Sequence, residues 1–260
     1  MMKIYIITQE DIFAIPRNIE LLLESINISV KGVATVHTTN SLSNKKSLLI
    51  RSFSFVSLFK FAWKLFWGKI LNFFDLLFQS NLIVPKKSIK AITKKYNIPL
   101  KRIMNVNDSK FIKELETLDL DIIVSFSAPS IFKEELLKIP KKGCINLHCS
   151  YLPKYSGILP SFWVLYNDEK ETGVTIHYMD SKIDNGKILA QQKVQIDPSI
   201  SWLDLIIKTK RVGGNLMVDV LSNFDSYASQ VKSNEVNHDF YYSWPTPRQF
   251  KELGRKRKLA

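Results

Sequence analysis

Apolar residues fall in short runs of strand length, separated by stretches with helical spacing. Residues 3–8 form a nearly unbroken apolar run and predict a buried first strand. Residues 17–26 predict a helix with Leu21, Leu22 and Ile26 inward, and residues 28–37 a second strand. A short strand is expected within 100–106. A helix over 109–118 should bury Phe111, Ile112 and Leu115. The β-branched run 121–125 predicts a strand, 130–137 a helix, 143–148 a strand and 173–179 another. This alternation predicts an α/β fold with a mostly parallel sheet and helices on both faces. Ligands of such sheets bind outside the carboxyl ends of the strands.

Residues 201–224 predict a long helix, capped by Ser201 with Asp204 at the third helical position. Its apolar stripe is Trp202, Leu205, Ile206, Leu216, Met217 and Val220. Beyond it, Tyr241, Tyr242, Trp244 and Pro245 are expected to dock back on the body, and Arg255–Lys258 to form a solvated, mobile basic end. The segment 53–78 is crowded with Phe, Trp and Leu, interrupted by Lys60, Lys64 and Lys69. Those lysines break any apolar run of about 18 residues, so it does not read as a membrane span. It reads as a core helix pair, a dimerisation element or a basic amphipathic surface helix. Lys60 and Lys64 share one helical face. The expectation is packing against protein, as core or homodimer interface, with a membrane surface disfavoured.

Composition sharpens this only in part. Hydrophobic residues make up 45% of the chain, enough for a substantial core. The formal charge is +13, from 37 basic and 24 acidic residues. That favours anionic ligands, although the lysines are scattered rather than gathered in a patch. Two cysteines, Cys144 and Cys149, are too few for a disulfide framework and lack metal-ligand spacing. Strand alternation turns Cys149 away from His148, which argues against a nucleophile there. The N-terminus does not read as a signal peptide, so a cytoplasmic location is expected. No G-x-G-x-x-G turn is present, and no metal or nicotinamide is expected.

The candidate chemistry lies between 143 and 186. Asn146 and His148 stand two apart at the end of a strand and so face the same side. A turn with Pro153 and Gly157 follows, then Thr172-Gly173-Val174-Thr175-Ile176-His177, then Asp184-Asn185-Gly186. An amide, an imidazole and a carboxylate make an acid–base constellation. Each alone is commonplace; an Asp-Asn-Gly triplet is by default a turn. Together, in order, they resemble the formyltransferases that use N10-formyltetrahydrofolate. The family pattern is Asn-x-His-x-Ser-Leu-Leu-Pro-x-Tyr-x-Gly, Thr-Gly-Val-Thr-x-His and Asp-x-Gly. The match runs from about Asp121 to Ile196.

The resemblance implies a Rossmann-like formyltransferase fold: a catalytic domain over 1–224, an apolar and basic helical insertion near 53–82, and a short extension over 225–260. It implies a formyl transfer from N10-formyltetrahydrofolate as cosubstrate to a primary amine. It assigns Asn146 as an oxyanion donor, His148 as oxyanion donor or base, and Asp184 as the group orienting His148 and relaying protons. It places the pterin against Phe126, Ser127, Ala128 and Ile131 and against Lys182 and Ile183. It makes Ser150, Pro153, Tyr155 and Gly157 the substrate loop, and leaves His177 a structural role. One departure is that the acid usually found after the glycine is Lys187 here.

The acceptor amine is read by elimination within the family. Residues 8–13 lack the glycines of a phosphate loop and carry Glu10 and Asp11, which disfavours a glycinamide ribonucleotide acceptor. Residues 225–260 are too few for the C-terminal barrel of methionyl-tRNA formyltransferases, so no nucleic-acid partner is expected. A nucleotide-linked amino sugar fits best. The alternatives are methionyl-tRNA formyltransferase-like activity without the barrel, and formyltetrahydrofolate hydrolysis.

Overall fold

The structure, a computed structural model, describes residues 1–11, 13–37, 50–78, 88–236 and 238–260. Ile12 of the first loop and the part of the expected insertion beyond Phe78 lie outside the described residues.

A seven-stranded sheet organises the chain, in the order β3-β2-β1-β4-β5-β7-β8. Its strands are β1 (Met2–Thr8), β2 (Ile28–Val36), β3 (Leu100–Ile103), β4 (Ile122–Phe126), β5 (Cys144–His148), β7 (Glu171–Tyr178) and β8 (Ile188–Gln195), while the short β6 (Ser156–Gly157) pairs outside it with Tyr241–Tyr242. β1 to β5 pair in parallel. β7 and β8 add antiparallel to the β5 edge. The chain order reverses between β1 and β4, where an open α/β sheet leaves a crevice at its carboxyl ends.

Alternation along the strands builds one core on each face. Ile4, Ile6, Val124, Ile145 and Leu147 point to one side, in a core completed by Ile19 and Leu22 of α1 (Ile15–Ser25), Ile92 of α3 (Ile89–Lys95), Met217 and Val220 of the later helix α7 (Trp202–Ser222) and Phe224 of α8 (Phe224–Ser229). Tyr5, Ile7, Ile123 and Cys144 point to the other, against Phe111 and Leu115 of α4 (Ser109–Glu116) and Leu136 of α5 (Glu134–Leu137). α7 begins as its sequence requires: the Ser201 side chain accepts from Asp204 N at 3.1 Å.

Three local expectations change. α1 starts at Ile15, with Pro16 in its first turn, and buries Ile15, Ile19 and Leu22 rather than Leu21 and Ile26, which are half-buried. The helix after β4 is shorter than expected. Ser127 takes a left-handed conformation (φ 54°), and Asn107 holds the following loop by donating to Ile131 O and accepting from Lys133 N. The basic C-terminus is docked rather than mobile. Lys258 O and Leu259 O accept from Trp202 N and Leu203 N, two backbone donors that the first turn of α7 leaves open, and Leu259 is buried.

The C-terminal extension completes a third core. α9 (Pro247–Lys256) sends Phe250 and Leu253 against Phe162 of α6 (Pro160–Tyr166) and Trp202 of α7. Thr246 and Gln249 form a reciprocal capping box at its start. The aromatic tail docks as its composition predicts: Tyr242 stacks on Tyr155 at 5.0 Å, and Ser243 O accepts from Trp163 Nε1.

The segment 53–78 is one helix, α2 (Phe55–Phe78), not a pair. Phe53, Leu58 and Phe61 pack into the third core, and Phe61 lies 6.5 Å from Phe13 of the β1–α1 loop. The core reading holds for the inner side only, since Phe59, Trp63 and Phe66 on the outward side are exposed.

Candidate active site

Asn146 and His148 occupy alternate positions of β5, on the face that Cys144 shares with the second core. Past Cys144 that face carries polar groups instead of apolar ones. β7 runs antiparallel beside it, with His177 directly opposite Asn146 and Thr175 opposite His148. The loop between β7 and β8 turns back and brings Asp184 to the same place.

The carboxylate of Asp184 is the hub. Its Oδ2 lies 3.4 Å from His148 Nδ1 and accepts from Gly157 N at 2.7 Å; its Oδ1 lies 3.6 Å from His177 Nε2. His148 and Asp184 are about nine-tenths buried at the side chain. The backbone is held there against its preference, because Asp184 has φ 50°. Asn234 fixes it by donating to Asp184 O at 2.7 Å and Gly186 O at 3.2 Å. Asp180 shapes the same turn, accepting from Lys182 N and Asn185 Nδ2. Gly186 is required, since a β-carbon there would collide with Tyr178 O.

The imidazoles differ in state. His148 Nε2 faces Tyr155 O at 2.9 Å, an acceptor only, so that nitrogen carries a proton and Nδ1 is left to Asp184. His177 Nδ1 faces Tyr178 O at 2.7 Å and donates to it. Burial pushes the His177 pKa below its usual value, although Asp184 pulls it up. Neutral His177 therefore presents a bare Nε2, which accepts from Asn146 Nδ2 at 3.2 Å. This leaves the second amide proton of Asn146 for an incoming oxygen.

The turn after β5 is built to hold this arrangement. Ser150 is fully buried, and its hydroxyl donates to Lys154 O and Tyr155 O. Thr175 Oγ1 donates to Ser150 O and accepts from Leu152 N and Gln191 Nε2. Tyr155, at φ 59°, stacks on Tyr242 and donates its hydroxyl to Glu169. Pro153 is half-buried beside them. Gly157 has φ 95°, and a β-carbon would meet Tyr242 O. These residues shape the turn and deliver two backbone groups to the site, Tyr155 O and Gly157 N.

The predicted pterin residues lie around it in unequal ways. The Phe126 side chain is core, and its carbonyl accepts from Thr8 Oγ1 at 2.8 Å. Ser127 and Ala128 are half-buried in the loop that leaves the sheet one strand from β5. Ile131, Lys182 and Ile183 are exposed, although Ile131 O and Lys182 N are already engaged by Asn107 and Asp180. Sequence reasoning missed His177 as a partner of Asn146, and also Asn234, Asp180 and Asn107. The His177 contact was readable only from the strand register.

Both cysteines are poor nucleophiles. Burial raises the Cys144 thiol to about 12. Cys149 points to Thr209 and the Asp11–Lys210 ion pair, and burial holds its thiol above the ordinary range. Among the described residues no group of three or more His, Cys, Asp or Glu could hold a metal.

Residues 83–221 match the family described as Formyl transferase. The chain belongs to the formyl transferase family. It is 37% identical over 133 residues to the methionyl-tRNA formyltransferase of Clostridioides difficile, covering 51% of this chain and 43% of that protein. It is 49% identical over 110 residues to the bifunctional polymyxin resistance protein ArnA of Wigglesworthia glossinidia brevipalpis, covering 42% of this chain and 17% of ArnA. The chain thus spans less than half the length of either relative. In fold it resembles the N-formyltransferase from Helicobacter canadensis solved with folinic acid and dTDP-3-aminofucose, with a TM-score of 0.59, 19% identity, and cover of 100% of this chain and 81% of that one. That likeness speaks to the fold that formyl transferases share.

Proposed function

We propose that this chain transfers the formyl group of N10-formyltetrahydrofolate to a primary amine, and that the amine belongs to a nucleotide-linked amino sugar. The observation that carries the transfer is the constellation of Asn146, His148 and Asp184, inside the region that matches the family. The amine nitrogen attacks the formyl carbon, and charge develops on the formyl oxygen. The unused amide proton of Asn146 is placed to stabilise that oxygen. As the new C–N bond forms and the bond to the folate nitrogen breaks, one proton must travel from the amine to that nitrogen. His148 and Asp184, whose Nδ1 and Oδ2 lie 3.4 Å apart, are the groups placed to carry it. The folate would lie along the loop after β4 and the loop bearing Lys182 and Ile183. No step uses a metal.

The sugar acceptor is supported by the ligand named for the Helicobacter canadensis protein and by the basic balance of the chain, which suits a diphosphate. The loop after β1 weighs against a phosphate bound there. Asp11 already accepts from Phe13 N and Ala14 N at the start of α1, and pairs with Lys210 at 2.7 Å. A second reading, formylation of an aminoacyl-tRNA, is favoured by the methionyl-tRNA formyltransferase relatives. A panel of nucleotide-linked amino sugars and charged initiator tRNA, each with N10-formyltetrahydrofolate, separates the readings. Formylated sugar is the expected product. Formylated tRNA alone would move the assignment, and formate released without any amine would make the chain a hydrolase.

A further inference from the structure

Helix α2 carries an apolar face that none of the described residues covers. Its inner side, through Ser57, Leu58 and Phe61, packs on the body. Its outer side presents Phe59, Trp63, Phe66, Trp67, Phe73 and Leu77, each between 44% and 62% exposed. The rings touch one another rather than the body: Phe59 stacks on Trp63 at 6.1 Å, and Trp63 meets Trp67 at 5.8 Å. Over 24 residues the helix runs about 36 Å. An exposed strip of that length marks an interaction surface or an aggregation hazard.

The charges around the strip identify its occupant. At 3.6 residues per turn, Lys60 and Lys64 fall on one margin of the aromatic face and Lys69 on the other. Lys64 also pairs with Asp204 at 3.2 Å. The C-terminal tail adds to the first margin, since Ala260 lines one depression together with Phe59, Lys60, Trp63 and Lys64. Arg255, Lys256 and Lys258, shortly before it, are exposed. A second copy of a chain of net charge +13 would set these lysine margins against their like. A span is excluded for the described residues, where no helix is long and apolar enough to cross a membrane. An anionic lipid surface answers both features: rings at the acyl boundary, lysine stems reaching up to the phosphates. Tryptophan favours that interface.

We propose that the outward face of α2 docks the protein on an anionic lipid surface, the helix lying in the interface plane. This departs from the expectation that protein covers the segment. The surface also lies next to the ligand end of the sheet, because Phe61 on the inner side of α2 meets Phe13 of the β1–α1 loop.

The test is co-sedimentation of the full chain with phosphatidylcholine vesicles, with and without phosphatidylglycerol, over a salt series. The expected result is pelleting with the anionic vesicles only, weakening as salt rises, with tryptophan emission quenched by brominated acyl chains. Lys60→Glu with Lys69→Glu leaves every packed ring in place and should weaken binding by about tenfold or more. Phe59→Ser, Trp63→Ser and Phe66→Ser together should abolish it, with far-ultraviolet dichroism checking the fold. If that triple variant does not fold, the lysine pair decides. A chain that stays in the supernatant overturns the proposal. So does equal binding to neutral vesicles that ignores salt and the lysine changes. A concentration-dependent doubling of mass without vesicle binding would assign the face to a second copy instead.

Discussion

Asn146 Nδ2 lies 3.2 Å from His177 Nε2, directly across the β5–β7 ladder. The contact fixes which way the Asn146 amide points. It depends on His177 staying neutral, because only then is Nε2 an acceptor. His177→Ala should therefore lower kcat by about tenfold with little change in KM, as a positioning loss rather than a binding loss. His177→Gln, whose amide oxygen can accept from Asn146, should recover part of it. A change confined to KM would remove His177 from the orientation of Asn146.

The same residue sets a pH dependence. Burial lowers the folded pKa of His177 below its ordinary 6.5, with Asp184 opposing and His148 reinforcing the shift. The unfolded chain then binds more protons than the folded one once the pH drops through the ordinary histidine range. Stability should be full above that range and decline as the pH falls through it. Melting temperatures between pH 8 and pH 5 should show a decline that His177→Gln makes shallower. An equal decline in both proteins would assign it to other groups.

Asn146→Ala should cost about 2.7–4 kcal/mol in kcat if the amide stabilises the formyl oxygen. His148→Ala should lower kcat by about a hundredfold or more. Steady-state kinetics on both variants, with dichroism to confirm folding, check these values. Loss in Asn146→Ala confined to KM would argue for ligand binding instead.

Gly157 is a test of the turn rather than of the chemistry. A β-carbon would meet Tyr242 O at a left-handed φ, and the backbone N–H is a donor to Asp184. Gly157→Ala should destabilise by about 1–3 kcal/mol and lower activity together. Denaturant unfolding measures the first, turnover the second. Full stability with full activity would show that the turn adapts freely.

Lys210 and Asp11 form a pair with both side chains only 11% exposed. Burial alone would raise the Asp11 carboxyl, but Lys210 and the N–H bonds of Phe13 and Ala14 outweigh it and hold the carboxyl below its usual range. Lys210→Met should destabilise by about 3–5 kcal/mol, because it strands a buried charge. Adding Asp11→Asn should restore much of that. A double variant no better than the single would refute the pairing as the cause.

The parts of this molecule that were legible in its sequence are those set by local rules. β5 was readable from its apolar run, α7 from Ser201 and Asp204 with the apolar stripe behind them, and Asn146 with His148 from simple alternation. What was not legible depends on pairing across the chain. The partner of His177 is chosen by antiparallel register, and Asn234 reaches Asp184 over 50 positions. The docking of Lys258 and Leu259 depends on the open N–H groups of a helix far upstream. In α2 both sides are apolar, so periodicity could not say which one faces the body. The basic tail read as solvated because its charges masked Leu259, the residue that anchors it.

Formyl transfer through Asn146, His148 and Asp184 is tested most directly by following the formyl group itself. N10-formyltetrahydrofolate labelled in the formyl carbon is incubated with the nucleotide-linked amino sugars and either the unmodified chain or Asp184→Asn. Label should appear on the acceptor nitrogen, with one tetrahydrofolate released per formyl transferred and a loss of about a hundredfold or more in the variant. Label released as formate regardless of amine, or transfer undiminished in a folded Asp184→Asn protein, would contradict it.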